Sequence, residues 1–246
     1  SCLCVKGSAT RIDIARTTLQ PGNGVILQMM DCDEGGMNKT DYKIPVGVVD
    51  VKDPHRDLSA ISAAEDVLLT LTDCAVTGDF FNSTTNIRAY QRCTIGGMGK
   101  LHDRVFGIVP QAPEGAPSPT QMRHHGNDLK GAINLGLSLV GSTVTGVISA
   151  AEQRYRDGLT YITAQNRDEL SNVTQNAALP VNNGVVVSLD KNSKWFVTGT
   201  SYITTLIVAE GAILAGVDGK QLTMKVNDMD TTIAPGIYTG IIKLSI

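Results

Sequence analysis

Apolar and polar residues alternate with a period of two along most of this chain, and one alternating phrase returns three times. Leu69-Thr70-Leu71 leads to Val76-Thr77-Gly78, Leu137-Ser138-Leu139 to Val144-Thr145-Gly146, and Val187-Ser188-Leu189 to Val197-Thr198-Gly199. Residues two apart in a strand share a face, so each copy turns aliphatic side chains one way and Ser or Thr the other. The glycine falls where the chain corners. A unit repeated in this way predicts a solenoid, each turn burying its apolar face against the next. The copies are unevenly spaced, which a solenoid absorbs by placing insertions at its corners. A β-sandwich or jelly roll is the competing reading, and it predicts no recurring phrase.

The same period predicts strands at Arg11 to Ile14, Val25 to Met30, Val46 to Val51, Val67 to Thr72 and Ala75 to Phe81. Near the C-terminus they come densely: Val185 to Leu189, Lys194 to Thr198, Tyr202 to Val208, Leu222 to Val226 and Tyr238 to Ile246. Turn signals such as Pro21-Gly22-Asn23-Gly24, Asn182-Asn183-Gly184 and Pro235-Gly236 separate them. Ser149 to Arg154 reads as a short surface helix, and Ile61 to Glu65 as a helical turn. Two stretches break the rhythm. Residues 31–60 are rich in Asp and Gly, and residues 82–130 hold Pro110, Pro113, Pro117 and Pro119. Both are expected to be insertions, the second an exposed loop.

Composition fits one all-β domain over residues 1–246. Apolar residues make up 42% but aromatics only 4%, a core of small aliphatic side chains suited to narrow stacked strands. The net charge is −3 with both signs interspersed, which leaves no electrostatic footprint for nucleic acid. No apolar run reaches the ~18 residues of a membrane span. Five cysteines (Cys2, Cys4, Cys32, Cys74, Cys93) match neither a zinc motif nor a dense disulfide scaffold, and Cys74 reads as a small buried hydrophobe. Ser1 to Lys6 read as a strand with neither charged leader nor signal-length apolar core, so the chain is expected to be a piece of a longer exported protein.

Residues 182–246 carry a more specific phrase. Asn182-Asn183-Gly184 opens a strand, and Ser193-Lys194-Trp195-Phe196-Val197-Thr198-Gly199-Thr200-Ser201-Tyr202-Ile203 continues to Leu206. This resembles the late coils of bacterial right-handed parallel β-helix surface proteins, both the pertactin-like passengers and the β-helix proteins of gut Gram-positive bacteria. There the pattern S-x-W-x-V-T-G-x-S-x-[IL]-x-x-L recurs. Asn23 to Gln28 and Val144 to Ser149 resemble the same group. The resemblance implies a right-handed parallel β-helix with long loop insertions and an extracellular or cell-surface location. Such families are mostly adhesins, carbohydrate-facing proteins or unassigned, so the likeness speaks for architecture more than for activity.

Candidate chemistry is sparse. Trp195 invites sugar stacking, but it alternates with Val197 on one face and reads as core. Asp31 and Asp33 beside Gly35-Gly36 lack the spaced ligands of a calcium loop. Gly96-Gly97-Met98-Gly99-Lys100 lacks the frame of a phosphate loop. Asp73, Asp79, Arg88, Arg92, Asp103 and Arg104 select no acid–base pair by spacing. No catalytic residue, metal site or cofactor is therefore assigned. The richest mixture of aromatic and cationic side chains lies in the second insertion: Tyr90, Arg92, Arg104, Phe106, Arg123, His124 and His125. Loops held on a rigid scaffold carry recognition, and aromatic and Arg side chains anchor interfaces. These seven form the expected binding surface, for a glycan or protein ligand. The expected role is non-catalytic adhesion, matrix or scaffold. The alternatives are a carbohydrate-active β-helix enzyme (lyase or hydrolase) and a subunit of a larger extracellular assembly, with self-association included.

Overall fold

A computed structural model describes residues 1–6, 10–30, 44–45, 67–84, 134–155, 161–162, 168–169, 171–180 and 183–246. Among these residues the chain is all-β, with no helix longer than a single 3-10 turn. Its strands are β1 (Leu3–Lys6), β2 (Thr10–Ala15), β3 (Val25–Met30), β4 (Ile44–Pro45), β5 (Val67–Thr72), β6 (Ala75–Thr77), β7 (Asp79–Asn82), β8 (Leu135–Val140), β9 (Thr143–Thr145) and β10 (Ile148–Tyr155). They continue with β11 (Tyr161–Ile162), β12 (Val173–Ala177), β13 (Val185–Leu189), β14 (Lys194–Val197), β15 (Ser201–Val208), β16 (Ile213–Gly216), β17 (Thr223–Val226), β18 (Met229–Thr231) and β19 (Gly236–Ser245). The strands expected at Val46 to Val51 and the turn at Ile61 to Glu65 lie outside the described residues.

Three sheets hold all the described strands but the β4–β11 pair, and from β5 to β10 the chain visits the three in turn. A long sheet runs β18-β17-β19-β15-β13-β8-β5-β2, a second β16-β14-β9-β6, and a third β1-β3-β7-β10-β12. From β2 to β15 the long sheet is parallel throughout, and its inward positions stack like on like. One ladder is Ile12–Leu69–Leu137–Val187–Leu206, and the next Ile14–Leu71–Leu139–Leu189–Val208. In the second sheet Val76, Val144, Trp195 and Leu214 lie side by side, and in the third Leu27, Phe80 and Ile148. The alternation predicted this inward set, and Leu69, Leu71, Leu137, Leu139, Val187, Leu189, Trp195 and Val197 are all buried in one core. Each such side chain contributes roughly 1.5–3 kcal/mol by leaving water.

Two readings of the sequence need correction. Ser149 to Arg154 is strand, not helix: β10 pairs in parallel with β7 over Ile148 to Ala150 and antiparallel with β12 over Ala151 to Tyr155, so its backbone is committed to sheet along its whole length. The third Val-Thr-Gly copy also slips by two residues. Trp195, not Val197, lies beside Val144, because the corner before β14 is one residue longer and β14 itself runs further before its glycine. An even slip preserves the facing, so Trp195 and Val197 both point inward.

Each corner has its own solution. Where the long sheet passes to the second, Cys74, Ser142 and Ser193 stack. The Cys74 N–H donates to Ser142 Oγ (3.0 Å), the Ser142 N–H to Ser193 Oγ (3.2 Å), and the Ser193 hydroxyl to Asp190 Oδ1 (2.6 Å). Cys74 is buried, its thiol facing the Thr72 carbonyl at 3.2 Å. Burial opposes the charge on Asp190, but hydrogen bonds from the Ser193 hydroxyl and the N–H groups of Gly141, Asn192 and Ser193 outweigh it and hold the carboxyl below its ordinary range.

Where the second sheet passes to the third, glycines stack. A Cβ on Gly78 would sit 2.8 Å from the Gly24 carbonyl oxygen, and one on Gly146 would collide with the Gly78 carbonyl. Gly78 also has φ +145°, a region closed to most side chains. The Trp195 indole N–H donates to the Gly146 carbonyl at 2.9 Å, which satisfies the one polar atom of this buried ring.

Where the third sheet returns to the long one, the corner is built from amides. Asn82 Nδ2 donates to the Gly184 carbonyl (3.0 Å), Asn183 Nδ2 to the Asn82 carbonyl (2.8 Å), and the Gly184 N–H to Asn134 Oδ1 (2.9 Å). The Thr84 hydroxyl donates to Asn82 Oδ1 at 2.7 Å, and the Ser83 hydroxyl lies 2.9 Å from both the Met29 carbonyl and Gln153 Oε1. All are buried. Thr84 and Asn134, the described residues on either side of residues 85–133, both lie at this corner.

The two ends of the stack differ. At the C-terminal end β19 runs antiparallel to β15, and the β17–β18 hairpin, with Asn227 and Asp228 both at positive φ, pairs onto β19. At the N-terminal end β1, β2 and β6 are sheet edges among the described residues.

Candidate functional site

The outer face of the long sheet is where side chains converge on a depression. Inward positions are aliphatic, so the alternate residues of β2, β5, β8, β13 and β15 form the outer wall in strict rows about 4.8 Å apart. One row is Arg11, Leu68, Gly136 and Val186, followed by Thr205 on β15. The row beside it is Asp13, Thr70, Ser138, Ser188 and Ile207, and Ile237 of β19 extends it. Gly136 carries no side chain, so the first row dips at β8 between Leu68 and Val186. The result is a shallow trough of about 240 Å³.

Its chemistry is a hydroxyl row beside an aliphatic row. The Ser188 hydroxyl donates to Ser138 Oγ at 3.1 Å, and Thr70 continues the line. Leu68, Val186 and Ile207 supply the aliphatic surface. At the β2 end, Arg11 Nε donates to Asp13 Oδ2 at 2.9 Å. That hydrogen bond, reinforced by Thr70 and by the guanidinium charge, holds the exposed Asp13 carboxyl below its ordinary range against a small cost of burial. A carboxylate fixed in its ionised form does not serve as a general acid near neutrality. The trough is suited to a ligand with one hydroxylated edge and one C–H face.

The seven residues expected to bind, Tyr90, Arg92, Arg104, Phe106, Arg123, His124 and His125, lie outside the described residues, as do Asp31, Asp33 and Gly96 to Lys100. Asn134, the first described residue after the seven, stands two residues before Gly136 of the trough. Of the scattered acids, Asp73 and Asp79 are described, and they flank β6 at opposite ends. Asp79 sits half-buried at the glycine corner. Burial pushes its carboxyl above the ordinary range, although the Val147 N–H donates to Oδ1 at 2.8 Å. Trp195 is fully buried and so presents no face to a sugar. Sequence reading missed the trough, yet its signal is present: the middle Thr70, Ser138 and Ser188 of the three phrases become one row once the strands are in register.

Among the described residues no three His, Cys, Asp or Glu side chains are grouped to hold a metal, and no helix is long and apolar enough to cross a membrane. No protein-family model, curated protein or solved structure matches this chain.

Proposed function

We propose that this chain is a right-handed parallel β-helix with insertions at residues 31–60 and in the stretch expected at 82–130, of which Asn82 to Thr84 belong to the stack, serving as a non-catalytic adhesion, matrix or scaffold element at a bacterial surface or in the secreted medium. Contact with a glycan or protein ligand is made on the outer wall of the long sheet, together with Tyr90, Arg92, Arg104, Phe106, Arg123, His124 and His125. The observation that carries this reading is the trough itself: hydroxyls and aliphatic side chains in register on a parallel wall, with Arg11 at one end tied to the neighbouring Asp13. Such a surface is organised to hold, and its groups are not arranged for proton transfer.

Binding of purified protein to a panel of polysaccharides and surface proteins tests the proposal, with release of reducing ends followed in parallel. The expected result is binding without turnover, weakened by the double substitution Ser138→Ala and Ser188→Ala and by replacing residues 86–128 with a short Gly-Ser bridge. Turnover of a glycan that one acidic or Arg substitution abolishes would establish the carbohydrate-active enzyme instead.

A further inference from the structure

We propose that the N-terminal edge of the long sheet pairs with the same edge of a second copy, through β2 running antiparallel to itself about Ile12. The idea rests on the same reading of the chain as a stack of parallel strands.

The two ends of the stack are not equivalent. The C-terminal end is closed by reversal into β19, whereas β2 ends its sheet in the parallel sense among the described residues. Leu3, Val5, Ile12, Ile14 and Leu19 at this end pack against the core but stay only partly buried. An edge strand of this kind is a template for another strand.

The charges of β2 select both the partner and the register. Arg11 and Asp13 stand two apart on the outer face, exposed, with opposite signs. Antiparallel pairing centred on Ile12 places Arg11 of each copy opposite Asp13 of the other and brings the two Ile12 side chains together on the inner face. Centring on Asp13 would set carboxylate against carboxylate, and like charges directly opposite destabilise a sheet. Backbone direction agrees with the Ile12 register. The Arg16 N–H donates to the Thr72 carbonyl, so even-numbered residues of β2 turn their amides toward β5 and odd-numbered ones turn outward. Arg11 and Asp13 then exchange both backbone hydrogen bonds with their opposite numbers, and Ile12 occupies the close, non-hydrogen-bonded position. Charged residues on an edge commonly guard it against pairing. Here their signs are self-complementary. The pairing is isologous and closes as a dimer, and the two outer walls become one continuous surface carrying both troughs.

Sedimentation equilibrium of the full 246-residue chain over a range of concentrations tests this. A species of twice the 26.1 kDa chain mass is expected. Arg11→Asp alone sets Asp against Asp, and Asp13→Arg alone sets Arg against Arg. Each is expected to weaken association by on the order of tenfold or more. An equimolar mixture of the two variants restores it, because every facing pair is then opposite in sign, and the double swap R11D/D13R restores it within one chain. The rescue also shows that both variants fold. Wild-type protein that stays monomeric, or variants that associate as well as wild type, overturn the proposal. Glycan binding and turnover are read separately on the wild-type chain, so a wild-type monomer that binds a ligand overturns the dimer and leaves the proposed function standing.

Discussion

The glycine corner and the amide corner both join one sheet to the next, yet they do so by opposite means. At the first, side chains are removed so that backbones touch, with Gly146 against the carbonyl of Gly78 and Gly78 against that of Gly24. At the second, Asn82, Asn134 and Asn183 are buried outright, and their amides hydrogen-bond to backbone groups of the turn. The difference follows from what the chain must do there. The glycine corner is short, with one residue (Gly78) between β6 and β7 and two (Gly146 and Val147) between β9 and β10. The amide corner joins Asn82, Asn134, Asn183 and Gly184 across large gaps in the chain, and side chains make the connection there. A buried donor or acceptor without a partner costs about 1–3 kcal/mol, which makes such pairing worthwhile.

The strongest way to break the glycine corner is through the ring that braces it. Trp195→Ala empties a fully buried site and orphans the Gly146 carbonyl, an expected loss of about 3–5 kcal/mol by urea denaturation. A loss below 1 kcal/mol would mean that the corner holds without the ring. Gly146→Ala forces a Cβ into the Gly78 carbonyl, with an expected cost of about 1–3 kcal/mol. Gly22→Ala, which meets nothing within 4 Å, should stay within about 0.5 kcal/mol of wild type.

The amide corner should be weakened by Asn82→Ala to a similar extent, about 1–3 kcal/mol, because the buried Thr84 N–H and hydroxyl both lose the Asn82 Oδ1 acceptor and the Gly184 carbonyl loses one of its two donors. Amide hydrogen exchange should rise first at Thr84 and Gly184 in that variant. Uniform exchange across the stack would contradict a local role.

Two carboxylates give smaller, oppositely signed effects with pH. Asp190, held low by its hydrogen bonds, contributes stability that is present above about pH 4 and lost as pH falls through its depressed folded value. Asp190→Asn should therefore lower the Tm at pH 7, and the gap should narrow in acid. Asp79, pushed up by burial at the glycine corner, contributes stability that is full below about pH 4 and lost as pH rises through its raised folded value. Asp79→Asn keeps an acceptor for the Val147 N–H and should match or exceed the wild-type Tm at pH 7, with no advantage in acid. Thermal melts at pH 3 and pH 7 read both signs, and a common sign for the two variants would contradict these assignments.

Much of the interior was legible in the sequence because period two is a local signal. Leu69, Leu137 and Val187 each stand beside a polar neighbour and need no partner strand to be assigned inward. The glycine corner was visible for the same reason. Register was not local: the two-residue slip of Trp195 against Val144 depends on corner length, which repeated wording conceals. The helix expected at Ser149 to Arg154 rested on composition, and pairing of β10 with two neighbours overrode it. The trough stayed hidden because Thr70, Ser138 and Ser188 are far apart in the chain and meet only through pairing. Asn82, Asn134 and Asn183 were unreadable as a group, since asparagine in sequence signals a turn and says nothing of burial.

The claim on which the rest depends is that successive strands stack in parallel, in register, one rung at a time. Methyl–methyl nuclear Overhauser contacts in Leu- and Val-labelled protein test it directly. The account predicts strong contacts from Leu69 to Leu137, Leu137 to Val187 and Val187 to Leu206, one rung of about 4.8 Å each, and weak or absent contact from Leu69 to Val187 across two rungs. Strong contact between Leu69 and Val187 without Leu137 between them, or an antiparallel pattern among these strands, would contradict it.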